Sequence, residues 1–260
     1  MKFARLFIIV VLLILNFACL PNSCSKITFK KNNAILLLGT SPDYPPYESI
    51  DENGDVIGFD IDVALAIAQE LGKKIVIIQM SFDSLILALD HGKIDLIISG
   101  VSSTPSRREK IALIPYQGKA TKEYTLLFWE KLPLNIKSYE DLKYIKKPIF
   151  CVQSGTSMAE FLYQIPEITV KTLESTPDLL LDVVFKKSSA ALVETNAALT
   201  LKKQNPKLQL LTLPLPQKNW VIGYGIGVKK NNKQLRKKIE ETVLKLKSQG
   251  LLKKIEEKWL

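Results

Sequence analysis

Residues Ile94–Lys110, IDLIISGVSSTPSRREK, decide how the rest of this chain is read. Ile94, Leu96, Ile97 and Ile98 make an apolar strand that ends in the small residues Ser99, Gly100 and Ser102. Thr104 suits a helix N-cap and Pro105 the first helical position, so a helix starts there and carries Arg107. Unpaired amides at such a start attract an anion, and a guanidinium one turn in can grip a carboxylate through two parallel hydrogen bonds. This is half of a receptor for a zwitterion. The plainer alternative is a capped helix with a solvated arginine.

The same logic returns further along the chain. Strand Pro148–Val152 runs into the turn Gln153–Ser157 and a helix beginning near Ser157, with Thr156 at the junction. Strand Ala190–Val193 ends in Glu194, a carboxylate at the tip of an apolar strand. In open α/β sheets, ligands bind beyond these carboxyl ends. An anion site and a lone carboxylate match the two ends of a free α-amino acid, although any α/β protein has polar strand ends.

Between these turns, strands and helices alternate. Ile35–Gly39 is a strand leading into the Pro- and Tyr-dense loop Thr40–Tyr47, and Asp51–Asp55 is a turn. Helices are expected over Phe59–Leu71, Phe82–Leu89, Tyr139–Leu142, Pro177–Phe185 and Thr195–Lys203, and strands over Lys74–Gln79, Ile94–Ser99 and Tyr124–Trp129. Gly223–Lys230, GYGIGVKK, reads as a returning strand rather than a phosphate loop, since the spacing and the following Ser/Thr are missing. This alternation predicts an α/β fold with mostly parallel sheets.

The first residues set the compartment. Lys2 and Arg5 precede an uninterrupted apolar run, Leu6–Leu15, too short for a membrane span and typical of an export signal, taken as residues 1–25. Cys19 after Ala18 is the lipidation candidate; Cys24 and ordinary cleavage near Ser23–Lys26 are the alternatives. The expected location is the periplasm, with membrane anchoring or surface exposure if a lipid is attached. Cys151 lies in an apolar strand and reads as a buried thiol, and His91 beside Gly92 as a helix-end residue. No disulfide framework, metal site or cofactor is indicated. Asp51, Asn53 and Asp55 open like a calcium loop, but Val56 stands where glycine is needed.

The net charge is +10, and removal of Lys2 and Arg5 leaves +8. Eleven of the basic residues follow Val228, where Leu235, Ile239, Val243 and Leu246, then Leu251, Ile255 and Trp259, recur at helical spacing. The charges therefore lie on outer faces of amphipathic helices. No aromatics alternate with them as nucleic-acid platforms require, so no nucleic acid partner is expected. Affinity for anionic lipid or a host surface is a weaker reading of this face.

GTSPDYPPYE, GDVIGFDIDVALAIAQELG, SFDSLILALDHGKIDLIISGVSSTPSRREKIAL and VQSGTS resemble, in order and spacing, the periplasmic amino-acid-binding proteins of ABC importers, extracellular solute-binding family 3. The similarity covers essentially the whole chain after the signal and is nearest to arginine- or lysine/arginine/ornithine-binding proteins. It implies a two-lobed periplasmic-binding-protein-like fold (type II): lobe 1 from 26–118 plus 222–260, lobe 2 from 122–215, joined by two hinge crossovers. It also implies a monomeric, non-enzymatic receptor that delivers an amino acid to a separate membrane permease.

Residue by residue, the resemblance gives Arg107 the ligand carboxylate, helped by amides near Ser102 and at Thr156–Ser157. Glu194 takes the α-ammonium with the Gly100 carbonyl and the Ser102 hydroxyl, and Tyr44 and Phe82 sandwich the side chain. Ser41, Ser99 and Gln153 complete the expected site. Binders of basic amino acids commonly have an acid where this chain has Ser41, leaving Asp43 or Glu48 to substitute, and the family usually has Asp where Glu194 stands. The ligand order implied is arginine, then lysine or ornithine, then glutamine or histidine. The same fold also carries cyclohexadienyl dehydratases, in which Glu194 would act as a general acid on arogenate or prephenate.

Overall fold

Two five-stranded sheets, each flanked by helices, are joined by a pair of adjacent crossings; the computed structural model describes residues 34–260. The signal segment and Cys19 lie outside the described residues. In chain order the elements are β1 (Ile35–Thr40), β2 (Ser49–Ile50), β3 (Val56–Ile57), α1 (Phe59–Glu70), β4 (Lys74–Gln79), α2 (Leu85–Asp90), β5 (Leu96–Ile97), α3 (Pro105–Lys110) and β6 (Ile111–Thr121). There follow β7 (Glu123–Trp129), β8 (Ile149–Gln153), α4 (Ser157–Leu162), β9 (Thr169–Leu173), α5 (Thr176–Val184), β10 (Ala190–Val193), α6 (Thr195–Gln204), β11 (Leu208–Pro214), β12 (Val221–Lys229), α7 (Lys233–Ser248) and α8 (Leu251–Trp259).

The lobe 1 sheet runs β4-β1-β5-β12-β6, with β4, β1 and β5 parallel and β12 and β6 antiparallel. The lobe 2 sheet runs β11-β7-β10-β8-β9, with β10, β8 and β9 parallel and β7 and β11 antiparallel. In both, the parallel half follows from helix-bearing crossovers, which cover the strands and let them be apolar throughout. Phe150, Cys151, Val152, Leu192 and Val193 are accordingly all buried. α5 and α6 supply Leu179, Val183, Ala198 and Leu201 to one lobe 2 cluster, while α2 brings Leu85, Ala88 and Leu89 onto Ile94 and Ile97 in lobe 1.

The chain crosses between sheets at Lys122 and returns through a 3-10 turn at Gln217–Asn219. The two crossings are paired: Val221 lies opposite Thr121, and Leu215 N donates to Lys122 O at 2.8 Å. At Gly223 (φ +54) a Cβ would fall 2.0 Å from Gln117 O, so only glycine allows the crossing strands to approach this closely.

Several boundaries differ from those read in the sequence. Phe82–Leu89 is a 3-10 turn over Phe82–Ser84 followed by α2, and Tyr139–Leu142 is a 3-10 turn extending to Tyr144. The six-residue strand expected at Ile94–Ser99 shrinks to Leu96–Ile97 because side chains replace ladder bonds at both ends: Leu37 N donates to Asp95 Oδ2, and Ser41 N to Ser99 Oγ. β6, β9 and β11 were not anticipated as strands. The C-terminal pattern holds in α7, which buries Leu235, Ile239, Val243 and Leu246; in α8 Leu252 and Ile255 are buried, while Leu251 and Trp259 are half-buried against the same core. Among the described residues no helix is long and apolar enough to cross a membrane.

Candidate functional site

The carboxyl ends of β1, β5, β8 and β10 meet where the lobes face each other, around a narrow cleft. All eleven residues expected to form the site line it. Ser41, Tyr44, Phe82, Ser99, Gly100, Ser102 and Arg107 come from lobe 1; Gln153, Thr156, Ser157 and Glu194 come from lobe 2.

On the lobe 1 side, Thr104 caps α3, its hydroxyl accepting Arg107 N, and Pro105 occupies the first helical position. Arg107 is only 4% exposed. Its Nη1 donates to Ser102 O at 2.9 Å and its Nη2 to Gly155 O, across the cleft, at 2.8 Å. The Phe82 ring lies under the guanidinium, 5.2 Å from ring centroid to Cζ, a cation–π contact. Among the described residues no acidic side chain pairs with Arg107, and burial lowers its pKa. Glu160, whose field it feels, accepts from Ser106 instead.

Behind this wall, Ser99 Oγ accepts Ser41 N and donates to Glu48 Oε1. Gly100 N donates to Asp60 Oδ2 and Tyr116 OH to Asp60 Oδ1, both at 2.6 Å. Glu48 is 1% exposed. Burial and the neighbouring Asp60 charge push its carboxyl well above the usual range, and it hydrogen-bonds Asp60. Burial beside Asp60 thus disfavours the ionised form of Glu48.

On the lobe 2 side, Thr156 caps α4, accepting Ala159 N and donating to Gln153 O. Ser157 Oγ meets Tyr124 OH at 3.1 Å and Ser102 Oγ at 3.4 Å. Glu194 caps α6: its Oε2 accepts Asn196 N at 2.9 Å and Tyr47 OH at 3.2 Å. Its own N donates to Tyr44 OH at 3.0 Å. No basic side chain pairs with it among the described residues, and burial raises its pKa.

The two rings expected to sandwich a side chain both line the space, but each has another partner. Phe82 carries the Arg107 guanidinium, and Tyr44 stacks on Tyr47 at 5.6 Å and 16°. Asp43, Glu48, Thr121, Tyr124, Met158 and Tyr224 also line the cleft. Thr121 and Tyr124 flank the first crossing and Tyr224 follows the second, so only the folded hinge brings them here. Cys151 stays in the lobe 2 core with its thiol pushed up to about 12 by burial, and His91 caps α2 on the surface.

The family model for bacterial extracellular solute-binding proteins, family 3, matches residues 36–260. Among curated relatives, "Probable ABC transporter arginine-binding protein ArtJ" of Chlamydia trachomatis serovar D is 37% identical over 238 residues, covering 91% of this chain and 90% of the relative. The arginine-binding extracellular protein ArtP of Bacillus subtilis is 30% identical over 227 residues, covering 86% and 85%. An ancestral arginine-binding protein solved with arginine superposes with a TM-score of 0.79 at 31% identity, covering 87% of this chain and 98% of that one. An ancestral amino-acid-binding protein described as a precursor of cyclohexadienyl dehydratase superposes at 0.76 and 28% identity, over 87% and 95% of the two chains. The two-lobed architecture, the cleft between the lobes and these matches agree: the chain belongs to the bacterial extracellular solute-binding proteins, family 3.

Proposed function

We propose that this protein is an extracytoplasmic receptor that captures a basic L-amino acid, L-arginine foremost, and delivers it to the permease of an ABC importer. One observation carries the reading: Arg107 and Glu194, on opposite walls of one cleft, are charged groups without counter-ions among the described residues. Buried charges are costly unless paired, and a zwitterionic α-amino acid supplies both partners at once. The ligand carboxylate pairs with Arg107. The α-ammonium pairs with Glu194, the Gly100 carbonyl and the Ser102 hydroxyl, and the side chain runs past Tyr44 and Phe82.

Arginine ranks ahead of lysine and ornithine because its planar, weakly hydrated guanidinium stacks well on aromatic rings. The relatives named for arginine point the same way. Eight side-chain hydrogen bonds cross between the lobes, at Arg107–Gly155, Ser106–Glu160, Ser102–Ser157, Asp43–Gln153, Asp43–Thr176, Tyr44–Glu194, Tyr47–Glu194 and Tyr47–Asn196. Closure therefore accompanies capture, and the closed receptor is the form handed to the permease. The receptor works as a monomer in the periplasm, with Cys19 the point of attachment if the signal is of the lipoprotein type.

Calorimetric titration of the mature, ligand-stripped protein with arginine, lysine, ornithine, histidine and glutamine tests the reading. Saturable arginine binding that disappears in Arg107→Ala and Glu194→Ala supports it. A folded sample that binds no amino acid, yet releases an aromatic product from arogenate or prephenate, would replace the receptor by a dehydratase.

A further inference from the structure

Three acids line the cleft, and their settings differ. Glu194 is held by Tyr47 and its own helix cap, and Glu48 by Ser99 and Asp60 inside lobe 1. Asp43 bridges the lobes. We propose that Asp43 is the residue that selects a cationic ligand side chain, reading it from a seat that spans the cleft. The proposal rests on the receptor reading above.

The Asp43 carboxylate is surrounded by neutral donors. Its Oδ2 accepts Gln153 Nε2 at 3.0 Å and Thr176 N at 2.7 Å, both from lobe 2. Its Oδ1 accepts only the Ser41 hydroxyl, at 2.8 Å. Thr176 begins α5, nine residues long and capped by Ser175, so the carboxylate also sits at the positive end of a helix. Among the described residues no Lys or Arg forms an ion pair with it. A carboxylate has about four acceptor sites; three are occupied, which leaves one on Oδ1 of a residue that lines the cleft. Burial raises the Asp43 pKa, and the bonds from Thr176, Ser41 and Gln153 oppose that shift. A guanidinium or ammonium from the ligand is the countercharge this arrangement lacks.

The other two acids fit the task less well. Glu194 faces the α-ammonium in the receptor reading. Glu48 is buried with its Oε1 taken by Ser99, and burial beside the Asp60 charge disfavours its ionised form. Ser41, where binders of basic amino acids commonly carry an acid, directs its hydroxyl to Asp43. Because Gln153 and Thr176 dock on it from lobe 2, the group that reads the side chain also joins the lobes.

The test compares L-arginine with L-citrulline, its neutral isostere, by calorimetry. Wild type should prefer arginine by about 10- to 100-fold, the range for a hydrogen bond to a charged group. Asp43→Asn keeps acceptor and donor atoms for Ser41, Gln153 and Thr176 and removes only the charge. Its arginine affinity should fall by that factor while citrulline binding holds. Exchanging the two side chains, Asp43→Ser with Ser41→Asp, should restore the preference, and this variant carries the test if Asp43→Asn folds poorly. An Asp43→Asn protein with wild-type preference overturns the proposal, as does an equal loss for both ligands, which would mark a purely structural role. Loss of preference in Glu48→Gln but not in Asp43→Asn assigns selection to Glu48 and also overturns it. A wild type that binds no amino acid overturns the receptor reading itself, a distinct outcome.

Discussion

On the lobe 1 side of the cleft, Ser99, Gly100 and Ser102 are fixed by partners in their own lobe: Ser41, Glu48, Asp60 and the backbone bridge to Tyr224. On the lobe 2 side, Gln153, Ser157 and Glu194 reach instead to Asp43, Ser102, Tyr44 and Tyr47 across the gap. The first wall is held by contacts inside its own lobe, and the second also by contacts that exist only where the lobes meet. In the receptor reading, Arg107 stands on the first wall while its Nη2 partner Gly155 O, like Glu194, belongs to the second, which ties the last part of recognition to closure.

The largest effect is expected where the first wall carries its charge. Arg107→Ala should weaken arginine binding by about 2–5 kcal/mol, the usual loss for one partner of a buried charge pair, with thermal stability little changed. Calorimetry beside a melting curve checks this, and a loss under about threefold would show that lobe 1 is not the anchor.

Acid should act on both walls, at Glu194 of lobe 2 and Asp43 of lobe 1. Burial raises the pKa of Glu194 above 4.5 and of Asp43 above 3.8, and a ligand cation needs both ionised. As pH falls from 7 through these raised values, each carboxylate takes up a proton that the ligand must displace. The arginine Kd should then rise by about tenfold per pH unit per carboxylate. An affinity flat from pH 7 to 4 would contradict the assigned charges.

Closure itself can be obstructed. Gly155 has φ +73, and a Cβ there would lie 2.9 Å from Asp83 Cβ in the opposite lobe. Gly155→Ala should weaken arginine binding about tenfold, through left-handed strain plus this clash, and solution scattering should show incomplete compaction on ligand addition. The smallest effect belongs to Tyr47→Phe, which removes the hydroxyl from Glu194 and leaves the ring buried. A two- to tenfold rise in Kd is expected, matching one neutral hydrogen bond of about 0.5–1.5 kcal/mol.

Much of the lobe 1 wall was legible because its signals are local. Thr104 and Pro105 start a helix by their own chemistry, and Arg107 follows in the same turn. The lobe 2 residues Gln153, Thr156, Ser157 and Glu194 were legible as strand ends. Their partners were not, since Asp43, Tyr44, Tyr47 and Ser102 lie far away in the chain and reach them through the fold. The strand at Ile94–Ser99 was read too long because apolar pattern does not reveal that Asp95 and Ser99 side chains take over backbone bonds. β6 escaped notice because it begins with four consecutive apolar residues, Ile111–Ile114, rather than an alternation, and Pro115 and Gly118 then break the pattern.

In the receptor reading, the cleft holds both charged ends of an amino acid. Titration with L-arginine and with agmatine, which keeps the guanidinium and lacks the carboxylate, tests this most directly. The prediction is one-site arginine binding, with agmatine weaker by at least about 100-fold, since it gives Arg107 no partner. Equal affinity for the two compounds would contradict the assignment of Arg107 to the ligand carboxylate and with it the central claim.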